Sequence, residues 1–301
     1  MEHLRPSLTG TDGMAALRLA ARRSLFSISL TLVAGALALL SLAGCDSATG
    51  VLRPPGRGIA ETVSTDPTSA AANIDSLSEV IRRNPSSPEA YNTRGAAYAR
   101  IGRFNEAIED FTAAIKLSPN DYAAYTNRAL AYRQAGRNDL ARADFDRAIA
   151  ANPSHAPAYI GRANLLRMQG NLDQAMADLD EAIRLNPENA QAFHARGLVR
   201  QKLGDHPRAV SDFDNAIDRD PFAAAPYQAR GESLVTLGKY DKAIEDFNAA
   251  LNVDNKSALA WAWLGLAQDR SGDHAKAQES YQRALYLDPN QPVAKQGMRR
   301  I

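Results

Sequence analysis

The chain has 301 residues, with 35 Lys and Arg against 34 Asp and Glu and a formal net charge of +1. A composition this balanced carries no global basic field and argues against a nucleic-acid partner. With one cysteine in the whole chain, an internal disulfide is excluded.

Residues 24–44 form an uncharged run of 21, preceded by Arg18, Arg22 and Arg23 and ended by Cys45. Its length suits a membrane-spanning helix. A basic stretch, an apolar stretch and small residues before a processing point describe a secretory signal equally well. The end of the run, Leu42-Ala43-Gly44-Cys45, resembles the lipobox of bacterial lipoproteins. That resemblance implies cleavage before Cys45 and lipidation of this residue. On either reading Arg22 and Arg23 keep the N-terminus inside, so the chain after residue 45 is expected outside the cytoplasm. It would face the periplasm, anchored to the inner or the outer bacterial membrane. Met14, followed by AALRLAARR, is expected as the start in preference to Met1. Removing residues 1–45 takes four of the 35 basic and two of the 34 acidic residues, which leaves 31 against 32 and a net charge of −1.

Residues 46–69, DSATGVLRPPGRGIAETVSTDPTS, are rich in Pro, Gly, Ser and Thr. So few apolar residues do not offset the cost of ordering the chain, and the segment is expected to be a tether. As a flexible coil it would reach roughly 25–30 Å. Residues 70–87 then match the second half of the repeat that follows: Leu77, Val80 and Pro85 fall on its positions 24, 27 and 32.

From Pro88 six units of 34 residues follow without insertion, at 88–121, 122–155, 156–189, 190–223, 224–257 and 258–291. A repeat of this length is one supersecondary unit that cannot bury its apolar face alone. Position 15 is always Gly, positions 20 and 27 are always Ala, and position 4 is Tyr, Tyr, Tyr, Phe, Tyr, Trp. A Gly after about fourteen helical residues ends a first helix, A, in the left-handed conformation. A Pro at position 32 forces the chain out of a second helix, B, and only Asn255 departs from it. Small residues at position 8 opposite position 20, and the aromatic at 4 opposite the large residue at 24, suggest an antiparallel register in which opposed positions sum to 28. Arg200 and Gln268, which replace an apolar residue at position 11, suggest looser seams in units four and six.

Charge is placed in columns as well. Position 7 is Arg94, Arg128, Arg162, Arg196 and Arg230, and position 23 is Asp110, Asp144, Asp178, Asp212 and Asp246; unit six has Leu264 and Ser280 instead. Because the two columns change together, an Arg–Asp ladder is expected across the hairpins or between adjacent ones, about half a turn off the register above.

The aromatic–Gly–Tyr, Ala-x3-Phe and Pro spacing resembles the tetratricopeptide repeat family over residues 88–291. The resemblance implies an all-α, right-handed solenoid of antiparallel helix pairs, with the half-repeat at its front and a capping helix at 292–301. It also implies a concave wall built from the A helices that binds proteins or peptides. Carried onto this chain, positions 5, 6 and 9 of that wall supply Asn92, Thr126, Asn127, Asn164, His194, Gln228 and Glu232. Positions 12 and 13 supply Arg100, Arg133, Gln134, Arg167, Gln201 and Lys202. Amides satisfy a peptide backbone without reading its sequence, and the basic stripe favours acidic partners. The Lys and Asn with which chaperone-tail binders of the family clamp a carboxylate are absent, since unit one has Asn92 and Ala96 there. Trp263, with Leu259 and Leu266, makes the far end of the wall apolar, a candidate hot spot or a surface for homodimer formation.

No nucleophile–base pairing, metal-ligand cluster or phosphate loop stands out, so neither catalysis nor a cofactor is expected. His206 and His274 share position 17 with Phe104 and Tyr240 and are expected as half-buried ring substitutes. The expected function is a lipid-anchored scaffold that docks envelope proteins, with a self-associating structural protein as the alternative.

Overall fold

The computed structural model describes residues 67–301, with side chains from residue 73 onward. The hydrophobic run, Cys45 and most of the expected tether lie outside the described residues. Fourteen helices account for nearly all of the described chain, and there is no strand among these residues. They are α1 (Pro67–Arg83), α2 (Pro88–Arg100), α3 (Phe104–Leu117), α4 (Tyr122–Gln134), α5 (Asn138–Ala151), α6 (Ala156–Gln169) and α7 (Leu172–Leu185). They continue as α8 (Ala190–Lys202), α9 (His206–Arg219), α10 (Ala224–Thr236), α11 (Tyr240–Val253), α12 (Ala258–Ser271), α13 (His274–Leu287) and α14 (Pro292–Met298). Even-numbered helices from α2 to α12 are the A helices, and odd-numbered ones from α3 to α13 the B helices.

Each A helix starts at position 1 of its unit. Its N-cap is position 34 of the preceding unit: the side chains of Ser87, Asp121, Asn189 and Ser257 accept hydrogen bonds from the first-turn amides. At the other end all six position-15 glycines have φ between 71° and 94°. A Cβ there would meet no atom within 4 Å, so a substitution costs conformation only. Gly136→Ala is expected to lower stability by about 1 kcal/mol, read as a shift of the urea midpoint at unchanged slope.

The helices alternate into two layers. Each A helix touches the next A helix, whereas among the described residues no B helix touches another B helix. The A helices therefore lie closer together and form the inner wall of a solenoid, in which every unit contacts only its neighbours.

The packing register differs from the one that small residues suggested. Position 8 lies against the ring at position 24 as well as the Ala at 20: a Cβ on Gly197 would sit 2.5 Å from Phe213 Cε1, and one on Gly95 2.8 Å from Phe111 Cε1 and 3.1 Å from Ala107 O. Tyr98 at position 11 packs against the cluster that holds Ala107 at 20, and Tyr91 at position 4 against the one that holds Ala114 at 27. Opposed positions thus sum to about 31, not 28. The reason is steric: a glycine at position 8 leaves room for the ring at 24 that a Cβ would take.

Position 24 is also covered from the next hairpin by position 6. A Cβ on Gly161 would lie 2.3 Å from Phe145 Cε1, and one on Gly297 of α14 2.1 Å from Tyr281 Cζ. Every aromatic at position 24 has a glycine on at least one side, at 8 or at the following 6. Leu179, the one non-aromatic, has alanines on both, Ala163 and Ala195.

The front end departs from expectation. Helix α1 begins at Pro67, three residues inside the segment assigned to the tether and to the half-repeat beginning at residue 70. Among the described residues no A helix precedes it, and it buries Ile74 and Ile81 against α2 and leaves Val80 49% exposed. At the back, α14 buries Ala294 and Gly297 against α12 and α13.

Candidate functional site

The arginine column belongs to the scaffold that shapes the wall. Each of the five arginines grips its own unit's aspartate sixteen residues on, at 2.7 Å for Arg94 and Asp110, 2.6 Å for Arg128 and Asp144, 2.7 Å for Arg162 and Asp178, 2.8 Å for Arg196 and Asp212, and 2.6 Å for Arg230 and Asp246. The aspartates are 1–7% exposed. With the register at 31 the pair is opposed directly, and no half-turn has to be spanned.

Sequence reading missed the third member. The remaining nitrogen, Nη1, donates to position 25 of the preceding unit: Ser78, Thr112, Asp146, Asp180 and Asp214, at 2.6–3.1 Å. The signal was present, since three of those five residues are aspartates in one column. The ladder therefore runs both across and between hairpins. Each guanidinium also lies 5.5–5.9 Å from the ring at position 4, within cation–π range. Hydrogen bonds to Asp178 and Asp246 hold Arg162 and Arg230 above the ordinary arginine range.

The departures at position 11 are bonded rather than loose. Arg200 Nη1 reaches Asp212 Oδ2 at 2.8 Å and adds a second cation to that carboxylate. In unit six, which lacks the ladder, Ser280 Oγ donates to Gln268 Oε1 at 2.7 Å in the same buried space.

Much of the amide wall is occupied with itself. Asn127 Nδ2 donates to Asn92 Oδ1 at 3.0 Å, Gln228 Nε2 donates to Glu232 Oε1 at 3.1 Å and Gln201 Nε2 donates to Ala229 O at 3.3 Å. Thr126 is buried and bonds Tyr122 O. Burial raises the Glu232 carboxyl against the opposing Gln228 bond. Asn127 and Gln201 join one A helix to the next, Gln228 is tied within α10, and these amides are not all open to a peptide backbone.

The apolar far end is likewise mostly internal. Trp263 stacks on Phe247 at a centroid distance of 6.4 Å, and Leu266 packs with Tyr281 under α14, so of the three only Leu259, at 41%, is exposed. Of the histidines, His206 is half-buried, whereas the side chain of His274 is 66% exposed and paired with Asp269 at 3.0 Å, not a ring substitute in the core. Among the described residues no group of three or more His, Cys, Asp and Glu is placed to hold a metal ion.

In the middle of the wall stand Asn164 and Arg167 on α6 and His194 on the adjoining α8, all half-buried. Arg133, one unit earlier, has an interaction of its own; Arg100 and Lys202 are exposed. Lys202 Nζ donates to Arg167 O at 3.0 Å and so caps the C-terminal end of α6. The His194 ring packs 5.9 Å from that of Phe213. Burial first, and then the nearby Arg167 charge, push its pKa down to about 4.

His194 consequently stays neutral in the fold while the unfolded chain takes up a proton below the ordinary value of 6.5. Its contribution is complete above pH 6.5 and is lost as the pH falls towards 4, by on the order of 2–3 kcal/mol. Urea midpoints at pH 7.5 and 4.5 check this, with His194→Gln expected to show a distinctly smaller acid loss.

Models described as tetratricopeptide repeat match residues 88–121, 126–190 and 229–292, together more than half of the chain. Comparison with curated proteins finds no match. Among solved structures, the fold is similar to that of the APC/C hetero-tetramer Cut9–Hcn1, at 19% identity and a TM-score of 0.69 over 77% of this chain, which spans 46% of that one. It is similar to YrrB, a TPR protein with an unusual peptide-binding site, at 25% identity and a TM-score of 0.52, covering 64% of this chain and 99% of that one. It is also similar to PilF of Pseudomonas aeruginosa, at 18% identity and a TM-score of 0.65, covering 73% of this chain and 99% of that one. With its period, hairpins and stacking all of one kind, the chain belongs to the tetratricopeptide repeat family.

Proposed function

We propose that this protein is a lipid-anchored adaptor of the bacterial envelope whose A-helix wall docks partner proteins or peptides. The observation that carries the docking role is the wall itself: six A helices in mutual contact present one continuous face. Arg100 and Lys202 lie exposed on it, and Arg167 and His194 are partly open. The likeness to YrrB, whose description includes a peptide-binding site, supports the same role. The anchor and the periplasmic address rest on the run at 24–44 and Cys45 in the sequence.

Chemical crosslinking followed by purification from membranes tests the proposal. The intact protein should recover a set of envelope proteins that an Arg100→Glu, Lys202→Glu variant of unchanged melting temperature loses. Equal recovery by both would remove the wall from the docking role. A Cys45→Ser variant should leave the membrane fraction; if it stays there, lipidation at Cys45 is not the anchor. Self-association through the far end has only Leu259 as an exposed apolar contact among the three residues that suggested it.

A further inference from the structure

Arg167 differs from the ladder arginines, its neighbours in the A helices. Each ladder guanidinium binds a carboxylate through both Nε and Nη2. Arg167 has none. Its Nε is shut off from water without an acceptor, and among the described residues no hydrogen bond or ion pair reaches its terminal nitrogens. A half-buried cation without a counter-charge is unfavourable, and burial alone draws this guanidinium below the usual arginine range.

Its surroundings accept a negative group and no second positive one. Asn164, one turn earlier on the same face of α6, makes no hydrogen bond and offers two amide donors. His194 across the seam is held neutral beside the guanidinium, and the exposed Lys202 ammonium sits at the end of α6.

We propose that Arg167, with Asn164 and His194, forms a carboxylate-binding site in the middle of the wall, which takes an acidic side chain or a chain-terminal carboxylate of the docked partner. The terminal nitrogens of Arg167 form the end-on fork, a geometry matched to two carboxylate oxygens. Asn164 donates to one oxygen, and the ring of His194 gains a proton partner. This inference rests on the adaptor reading and names the chemistry its wall selects.

The test uses the full-length protein in detergent and three peptides: acetyl-Gly-Gly-Glu-Gly-Gly-amide, its Gln counterpart, and acetyl-pentaglycine with a free C-terminus. Binding is followed by NMR, together with the titration of the His194 ring. A carboxylate peptide should bind about tenfold more tightly than the Gln peptide and should raise the His194 pKa. Which of the two carboxylate peptides is preferred identifies the source of the group.

Arg167→Gln should abolish the preference, Arg167→Lys should keep part of it, and Arg142→Gln, the same charge loss at an exposed position on α5, should leave it intact. Equal affinities for all three peptides, or an undiminished preference in a folded Arg167→Gln protein, would overturn the site. If envelope partners are still recovered from membranes in that event, the adaptor reading stands without it. If the carboxylate preference holds and no partner is recovered, the site stands and the adaptor reading falls.

Discussion

Asp212→Ala is expected to lower stability by about 3–5 kcal/mol, the cost of breaking a buried ion pair from one side. Asp212 is 1% exposed. It accepts from Arg196 Nη2 at 2.8 Å and from Arg200 Nη1 at 2.8 Å. Those side chains are themselves only 17% and 21% exposed. Without the carboxylate, two guanidiniums share a poorly solvated space and only Asp180, 57% exposed, remains as a counter-charge. Asp212→Asn keeps the shape and one acceptor and is expected to cost less. Because each hairpin contacts only its neighbours, the loss should be local: hydrogen-exchange protection should fall in α8 and α9 and persist in α2–α5. An unmoved urea midpoint would show that the ladder contributes nothing even in a rung whose carboxylate is 1% exposed.

Phe145→Ala is expected to have an effect of similar size, about 3–5 kcal/mol. The ring is fully buried and packs among Ala129, Ala141 and Ala148 of its own hairpin and Ala158 and Leu165 of the next. It thus holds a seam as well as a hairpin. The glycine rule gives a sharper test than the single substitution. Unit three tolerates Leu179 at this position between Ala163 and Ala195, so Phe145→Leu combined with Gly161→Ala should cost less than the two single changes together. Gly161→Ala alone drives a methyl to 2.3 Å from the ring and should cost about 1–3 kcal/mol by overpacking. Strict additivity in this double-mutant cycle would mean that position 6 does not sense the ring.

These expectations separate what one chain of letters discloses from what stacking adds. The helix pair was legible because its signals are local. Gly136 ends a helix through its own backbone freedom, Pro153 stops the next through its missing donor, and their spacing of 17 residues recurs in every unit but the fifth, which has Asn255. The ladder was legible for a different reason: in unit six Leu264 and Ser280 replace both members at once, which marks them as partners even without a structure. The proposed envelope address rests on the same kind of evidence, a run of residues that ends at Cys45.

The register was not legible, because small residues at two positions are compatible with either meeting each other or admitting a ring. Only the crossing of the helices chose Gly95 against Phe111. The third rung of the ladder was missed because Asp146 and Arg162 belong to different units, and periodicity within a unit says nothing of which neighbour a side chain meets. For the same reason Asn92 and Asn127 looked available to a ligand and are bonded across the wall, while Gln228 is tied within its own helix to Glu232.

The sequence by itself determined the repeat, its two helices, its turns and the pairing of Arg with Asp, since each follows from backbone chemistry or from columns that change in step. Tertiary structure alone decided which polar groups the stacking satisfies and which it strands. Arg167 reads as one basic residue in a stripe until the helices pack, when burial without a counter-charge sets it apart.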